Sequence, residues 1–104
     1  MHMRDACLSA SRFVAARQRG DLDRDEMLLF ALVRAIEIMG EAAGKVSAET
    51  QAACPQLPWR EVVGIRNRLV HAYFDIDKDI LWNTTQQDIP YLLTVVETLL
   101  QATD

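Results

Sequence analysis

The residues best suited to chemistry lie in one stretch, Arg66-Asn67-Arg68-Leu69-Val70-His71-Ala72-Tyr73. It places one of only two histidines beside two arginines and a tyrosine. The window 62–74 holds no acidic residue, whereas the chain as a whole is acidic, with 15 Asp plus Glu against 11 Lys plus Arg. A local cationic cluster with a group that titrates near neutrality suits an anionic phosphate ligand and proton transfer on it.

The chemistry that fits this cluster is cleavage of an RNA phosphodiester without metal or cofactor. The ribose 2′-OH attacks the adjacent phosphorus, so a base must take its proton and an acid must protonate the leaving oxygen. Histidine suits either role, because its unperturbed pKa of about 6.5 lies close to working pH. Arginine supplies a permanent forked donor for the charge that builds on the phosphoryl oxygens. One such histidine per chain is short of the usual acid and base pair, which a symmetric dimer would supply.

Helical spacing leaves the geometry of the site open. Each residue of an ideal helix turns by about 100°, so Arg66 and Tyr73 share a face, whereas Arg66 and His71 are about 140° apart. Spacing alone favours Arg68, which neighbours His71. Arg66 reaches His71 if the helix ends or distorts there, if the guanidinium reaches round, or if two subunits share the site. The alternative without chemistry is that His71 caps or packs a helix, the arginines are solvated and Tyr73 lies in the core.

The totals indicate one domain over residues 1–104. The net charge of −4 argues against broad non-specific nucleic-acid binding, so any phosphate site must be local. Cys7 and Cys54 lack the spacing of metal ligands, and we expect two buried or incidental thiols in a reducing compartment. With no apolar run of membrane-spanning length and no secretory signal, we expect a cytoplasmic protein that does not enter a membrane. His2 follows an opening Met and carries no functional weight.

The apolar periodicity predicts an all-α, single-domain bundle of four to six helices. A first helix is expected over 5–19 with Gly20 ending it, followed by Asp21 or Asp23 as the N-cap of a long second helix that runs toward Ser47. The remaining helices are expected over 47–53, from Pro58-Trp59 through the cationic stretch, and over 80–102. Pro90 must kink or break the last one, and Asp88 could cap a fresh start. The second helix is apolar around most of its circumference, so we expect it to be central and to carry a self-association face.

The cationic stretch resembles a known family. Arg66, His71 and Tyr73 match the RX4HXY signature of HEPN-domain toxins of the HepT type. The further segments that look like features of this family are Arg34-Ala-Ile-Glu-Ile-Met-Gly-Glu-Ala-Ala43, Leu57-Pro-Trp-Arg60, 75–82 and Asp88-Ile-Pro90. The similarity runs from about Leu22 to the C-terminus, and it is weak only in the short N-terminal part.

The resemblance implies an all-α homodimer that acts as a ribonuclease, with the motif in a cleft between the subunits. Arg66 would bind and stabilise the phosphate, and His71 would serve as acid and base. Asn67 would orient His71 or the phosphate. The usual partner is a minimal nucleotidyltransferase antitoxin of a type VII toxin–antitoxin pair, which is thought to transfer AMP to the motif tyrosine, here Tyr73. A bulky anion at that point would fill and neutralise a cationic cleft.

Two carboxylates of the second helix complete the expected site. Glu37 and Glu41 lie four residues apart on one face, where they could form salt bridges with Arg66 or Arg68 and position them; alternatively they are simply solvated. The rival function is a non-catalytic HEPN-like subunit that binds a nucleotide or regulates a nucleotidyltransferase partner. The sequence carries no metal-ligand cluster, glycine-rich phosphate loop or nucleophile triad that would favour a third class.

Overall fold

The computed structural model describes residues 2–70 and 75–102. Its α-helices are α1 (His2–Val14), α2 (Asp21–Arg24), α3 (Glu26–Gly44), α4 (Ala48–Ala53), α5 (Trp59–Val63), α6 (Ile65–Leu69), α7 (Lys78–Asn83) and α8 (Ile89–Ala102). A π-helical turn, Thr84–Asp88, joins α7 to α8. Within these residues the only β-type pairing is an isolated antiparallel bridge between Val70 and Ile76. The predicted all-α fold is therefore confirmed.

Helix α3 is the centre of the bundle and packs against α1, α2, α5 and α6. Its buried row repeats every three or four residues, as expected for one face of a helix; the row is Leu32, Ile36, Met39 and Ala43. The long helix starts where the Asp25 carboxylate accepts a hydrogen bond from the Leu28 N–H at 3.0 Å. Asp21 and Asp23 lie instead within the short α2, so the prediction that one of them caps α3 is wrong.

The first helix differs from its predicted bounds at both ends. It runs from His2 to Val14, and the chain reverses at Ala16, which takes a left-handed φ of 60°. Ala16 therefore occupies the position that glycine usually takes after a helix, and the Arg17 N–H closes the end by donating to the Val14 carbonyl at 2.9 Å. Gly20 has an ordinary φ of −63° and precedes α2, so the prediction that Gly20 ends the first helix is wrong.

Two of the predicted helices are divided, the first where no break was predicted and the second just before Pro90, where a kink or break was expected. Gly64 separates α5 from α6, and the π-helical turn separates α7 from α8. Pro90 lacks an N–H and cannot bond within a regular helix, but the preceding Ile89 N–H reaches back to the Thr84 carbonyl, which keeps the chain helical. Asp88 lies inside this turn and starts no new helix. With each divided pair taken as one rod, the described residues form six rods.

The remaining boundaries follow the sequence closely. Ser47 caps α4 by accepting from the Thr50 N–H at 3.1 Å, although α3 ends earlier than expected, at Gly44. Asp75, Asp77 and Asp79 form an acidic connection after the cationic stretch, and Asp77 caps α7 by accepting from the Ile80 N–H at 3.0 Å. Both cysteines are buried and free, and burial raises the pKa of the Cys7 thiol to about 12. Among the described helices, none combines the length and apolar character that crossing a bilayer requires.

An ion-pair network joins the acidic connection after the cationic stretch to the region around α2. The Arg19 guanidinium donates to Asp79 at 2.8 Å and to Asp23 at 3.1 Å, and Lys78 lies 3.3 Å from Asp23. The hydrogen bond with Asp79 raises the pKa of Arg19, and the hydrogen bond with Arg19 lowers the pKa of Asp23. These contacts hold the start of α7 against α2.

Candidate active site

The helix that carries the two arginines ends before the histidine. Helix α6 stops at Leu69, and Val70 is extended, with φ −112° and ψ 113°. Val70 pairs with Ile76, and the Asp77 N–H donates to the Leu69 carbonyl at 2.8 Å. The helix therefore ends two residues before the histidine, and the ideal angle of about 140° between positions 66 and 71 does not apply. This is the first condition that the spacing set for Arg66 to reach His71: that the helix ends near the histidine. His71 and Tyr73 themselves lie outside the described residues.

Arg66 is held by a carboxylate from the central helix. Its Nε donates to Oε2 of Glu37 at 2.8 Å, which joins α6 to α3. The Arg66 side chain is half-exposed, whereas that of Glu37 is mostly buried. Among the described residues, the four N–H groups on the two Nη atoms of Arg66 make no hydrogen bond, so they are available to a ligand. The expected pairing of Glu37 with a motif arginine is present, and the arginine is Arg66.

Gly40 allows this contact, because it brings α3 close to the α5–α6 rod. A Cβ at Gly40 would lie 3.0 Å from the Val62 carbonyl oxygen and 3.3 Å from Cγ2 of Ile65. Both neighbours are buried, so they have little room to move. The residue that permits this close approach thus lies one turn from Glu37 on the same helix.

Two cavities meet at the Arg66–Glu37 pair. The apolar cavity, of about 450 Å³, is lined by Phe30, Val33, Glu37, Arg66, Val70 and Ile76. The second cavity, of about 270 Å³, is called the polar cavity because four of its seven lining residues are polar; it is lined by Glu37, Gly40, Glu41, Gly44, Val63, Arg66 and Asn67. Arg66 and Glu37 therefore line both cavities, one mainly hydrophobic and one with several polar side chains.

Arg68 lies apart from Arg66, and Glu41 forms no ion pair with Arg66. Arg68 lines a separate cavity of about 230 Å³, which lies between α5–α6 and α8 and includes Asp88 and Tyr91. The nearest cation to Glu41 is Arg34 of its own helix, at 3.6 Å, rather than a motif arginine. The structure thus places Arg66, Asn67 and Glu37 together, with Glu41 nearby in the polar cavity, and places Arg68 on the other side of the helix.

Sequence reasoning missed the contribution of Phe30 to the site. Phe30 is half-exposed and lines the apolar cavity beside Arg66. The signal was the wide apolar arc of α3, which indicated an extra hydrophobic face without showing which residues form it. In the described part of the chain, no group of three or more histidine, cysteine or acidic side chains is arranged to hold a metal ion.

Comparison with known proteins gives the family directly. The model of the family described as "Ribonuclease HepT-like" matches residues 3–99. A Thermococcus cleftensis protein named "Probable ribonuclease HepT" is 43% identical over 68 residues, which span 65% of this chain and 62% of that protein. An RNase-named protein of Methanocaldococcus jannaschii is 39% identical, over 74% of this chain and 75% of that protein. A third, from Caldanaerobacter subterraneus, is 35% identical over 90% of this chain and 88% of its own length.

No solved structure matches the chain. The family description and the names of these relatives bear out the predicted enzyme class, that of ribonucleases. The match also extends into the N-terminal helix, where the resemblance was weakest. The chain belongs to the HepT-like ribonuclease family.

Proposed function

We propose that this chain is a metal-independent endoribonuclease and the toxin of a type VII toxin–antitoxin pair. Arg66 binds the scissile phosphate, and His71 transfers the protons. The observation that carries the proposal is the state of Arg66: its Nε is engaged by Glu37, its Nη groups are turned to no described residue, and its helix ends just before the histidine. A guanidinium fixed at one edge and open at the other suits bidentate binding of a phosphate.

The chemistry follows from these roles. His71 accepts the proton of the 2′-OH as the oxygen attacks phosphorus, and a protonated histidine returns a proton to the leaving 5′-oxygen. The bond from phosphorus to that oxygen breaks, which leaves a 2′,3′-cyclic phosphate and a free 5′-hydroxyl. Arg66 stabilises the charge on the non-bridging oxygens. Asn67 orients the phosphate or His71, and Arg68 adds positive charge from the other side of α6.

A homodimer supplies the second histidine. Two apolar side chains of α3 support a subunit interface at the site: Phe30 is half-exposed beside Arg66, and Met27, one turn earlier, is 83% exposed. Exposed apolar side chains that flank a polar cleft are typical of association surfaces. A second copy packed there covers the apolar cavity and brings both copies of the motif to one cleft.

The partner in this proposal is a minimal nucleotidyltransferase antitoxin that transfers AMP to Tyr73. The adduct carries a negative charge into a cleft whose function depends on the free guanidinium of Arg66, so it competes with RNA for the same donors. The relatives' names describe ribonucleases and do not mention this partner.

The ribonuclease proposal is tested with purified protein, RNA and excess EDTA. We expect cleavage to persist in EDTA and to stop in His71→Ala, with His2→Ala as the matched control, since His2 is the other histidine and is exposed at the start of α1. Circular dichroism and thermal unfolding confirm that each variant folds. Equal cleavage by wild type and His71→Ala would contradict the proposal and favour the non-catalytic subunit.

The modification is tested separately by co-expression with the nucleotidyltransferase. We expect a mass increase in steps of one AMP, located at Tyr73 by peptide sequencing and absent from Tyr73→Phe, with Tyr91→Phe as the control because Tyr91 is the only other tyrosine. An inactive protein with an unmodified Tyr73 would show that the partner inhibits by binding alone.

A further inference from the structure

The polar cavity is the part of the site that phosphate binding does not explain. It lies beside Arg66, and two of its lining residues, Gly40 and Gly44, contribute no side chain to it. A Cβ at Gly44 would meet Val63 at an ordinary van der Waals distance of 3.7 Å, so the backbone of α3 comes close to Val63 at this end of the cavity. Its volume of about 270 Å³ gives it room for a planar group.

Two side chains that line this cavity have hydrogen-bonding groups that no described residue satisfies. The Glu41 carboxylate is well exposed, and its nearest cation, Arg34, stands 3.6 Å away, beyond hydrogen-bond distance. The Asn67 side-chain amide makes no hydrogen bond to any described residue. Glu37, by contrast, is occupied by Arg66. The cavity therefore presents a carboxylate that forms an ion pair with Arg34 but no hydrogen bond, and an amide that can donate or accept.

The position of Arg66 decides which part of an RNA reaches this cavity. Arg66 lines both cavities, so a phosphate bound by its Nη groups lies where the two cavities adjoin. One nucleoside next to the bound phosphate then lies on the polar side. A second phosphate there would be repelled by Glu41, whereas a base edge with N–H donors would be attracted.

We infer that the polar cavity reads the base of the nucleotide next to the scissile phosphate and selects guanine, an inference that rests on the proposed ribonuclease function. Guanine presents N1–H and the N2 amino group side by side, so both can donate to the Glu41 carboxylate. Its O6 accepts from the Asn67 amide. Uracil sets a single N–H between two carbonyl oxygens and brings an oxygen toward the carboxylate, while adenine and cytosine each offer only one amino group on that edge.

The test measures binding without relying on cleavage. Titration calorimetry compares 3′-GMP with 3′-UMP on the wild-type protein, and a bidentate contact predicts at least about tenfold tighter binding of 3′-GMP. Glu41→Gln is expected to reduce the ratio below about threefold. The matched control is Glu49→Gln, an exposed glutamate on α4 that lines neither cavity, and it is expected to keep the wild-type ratio.

Equal affinity for the two nucleotides, failure to bind either, or an unchanged preference in Glu41→Gln would overturn the base-reading role. Mapping of cleavage sites on a random RNA pool separates this result from the fate of the proposed function. Cleavage in EDTA with no guanosine enrichment at either position flanking the cut refutes the base-reading role alone. A guanine preference in binding without cleavage refutes the ribonuclease alone and leaves a guanine-binding subunit.

Discussion

The two sides of helix α6 carry the same chemistry in different settings. Arg66 and Arg68 are two residues apart, so their side chains leave the helix about 160° apart. Arg66 meets α3 and is held by Glu37 at 2.8 Å, whereas Arg68 faces the cavity toward α8 and forms no ion pair with a described residue. The difference lies in a carboxylate on the neighbouring helix. It teaches that a ligand-binding arginine is distinguished by what fixes its guanidinium rather than by its distance from a histidine along the chain.

Fixing matters because a free arginine has many rotamers. Its side chain carries roughly 2 kcal/mol of rotamer entropy at room temperature. The bond to Glu37 removes part of that freedom before any substrate arrives, and it leaves the outer edge of the guanidinium open. Arg68 must lose the same freedom when it binds. The Arg66 side is therefore preorganised and the Arg68 side is not.

The largest expected effect separates the two arginines directly. Arg66→Ala should lower kcat for RNA cleavage by about 100- to 1,000-fold, because a donor to the developing phosphoryl charge is lost. Arg68→Ala should lower it by about threefold or less, since an exposed charge on the far side acts only through a screened field. Single-turnover cleavage at constant ionic strength measures both. Similar losses in the two variants would break the comparison.

A smaller effect is expected when the fixing carboxylate is removed. Glu37→Gln should lower kcat about tenfold with little change in KM, as expected for loss of a charge-assisted hydrogen bond worth about 1.5 kcal/mol. Asp88→Asn is the matched variant on the Arg68 side, where a carboxylate lines the cavity without pairing, and it should change kcat by no more than about twofold. Recovery of activity in Glu37→Asp, but not in Glu37→Ala, would sharpen the positioning role of Glu37. Wild-type kcat in Glu37→Gln would contradict it.

The smallest expected effect concerns how closely the α5–α6 rod packs against α3. Gly40→Ala inserts a Cβ 3.0 Å from the Val62 carbonyl oxygen. The resulting strain, about 1–3 kcal/mol, outweighs the roughly 1 kcal/mol that alanine contributes to a helix. Gly44→Ala meets Val63 only at 3.7 Å and should stabilise the protein by a few tenths of a kcal/mol, up to about 1. Urea unfolding curves measure the change in the free energy of unfolding for each variant. Equal stability of the two variants would show that α3 does not pack closely against the α5–α6 rod at Gly40.

Residue patterns predicted the elements well where one local interaction decides them. Ser47 and Pro58-Trp59 predicted helix starts that the structure contains, because an N-cap hydroxyl and a first-turn proline act within a few residues. The central place of α3 followed from its apolar arc. Gly20 and Ala16 show the opposite case: glycine is the usual left-handed residue, yet the packing of α1 on α3 sets where the turn falls, and alanine takes the strained position.

The residues of the candidate site could be predicted from the sequence, but their arrangement in space could be predicted only in part. The resemblance pointed to Arg66, while helical spacing favoured Arg68. The structure joins Arg66 to Glu37 across 29 positions of sequence, a separation that no periodicity reveals. Pro90 shows a similar limit of prediction. A kink or break was expected there, but no residue pattern indicated the π-helical turn that forms just before it.

The bridge between Val70 and Ile76 also bears on the order in which the site assembles. Its partners are close along the chain, and the same holds for Leu69 and Asp77, so closing that short loop loses little chain entropy. The Arg66–Glu37 contact closes a much longer loop, at an additional cost of about 1 kcal/mol. On that basis the two ends of the segment that holds the histidine meet early in folding, and the arginine is fixed to the central helix later. A destabilised variant would therefore lose the Arg66–Glu37 contact before it loses the pairing of Val70 with Ile76.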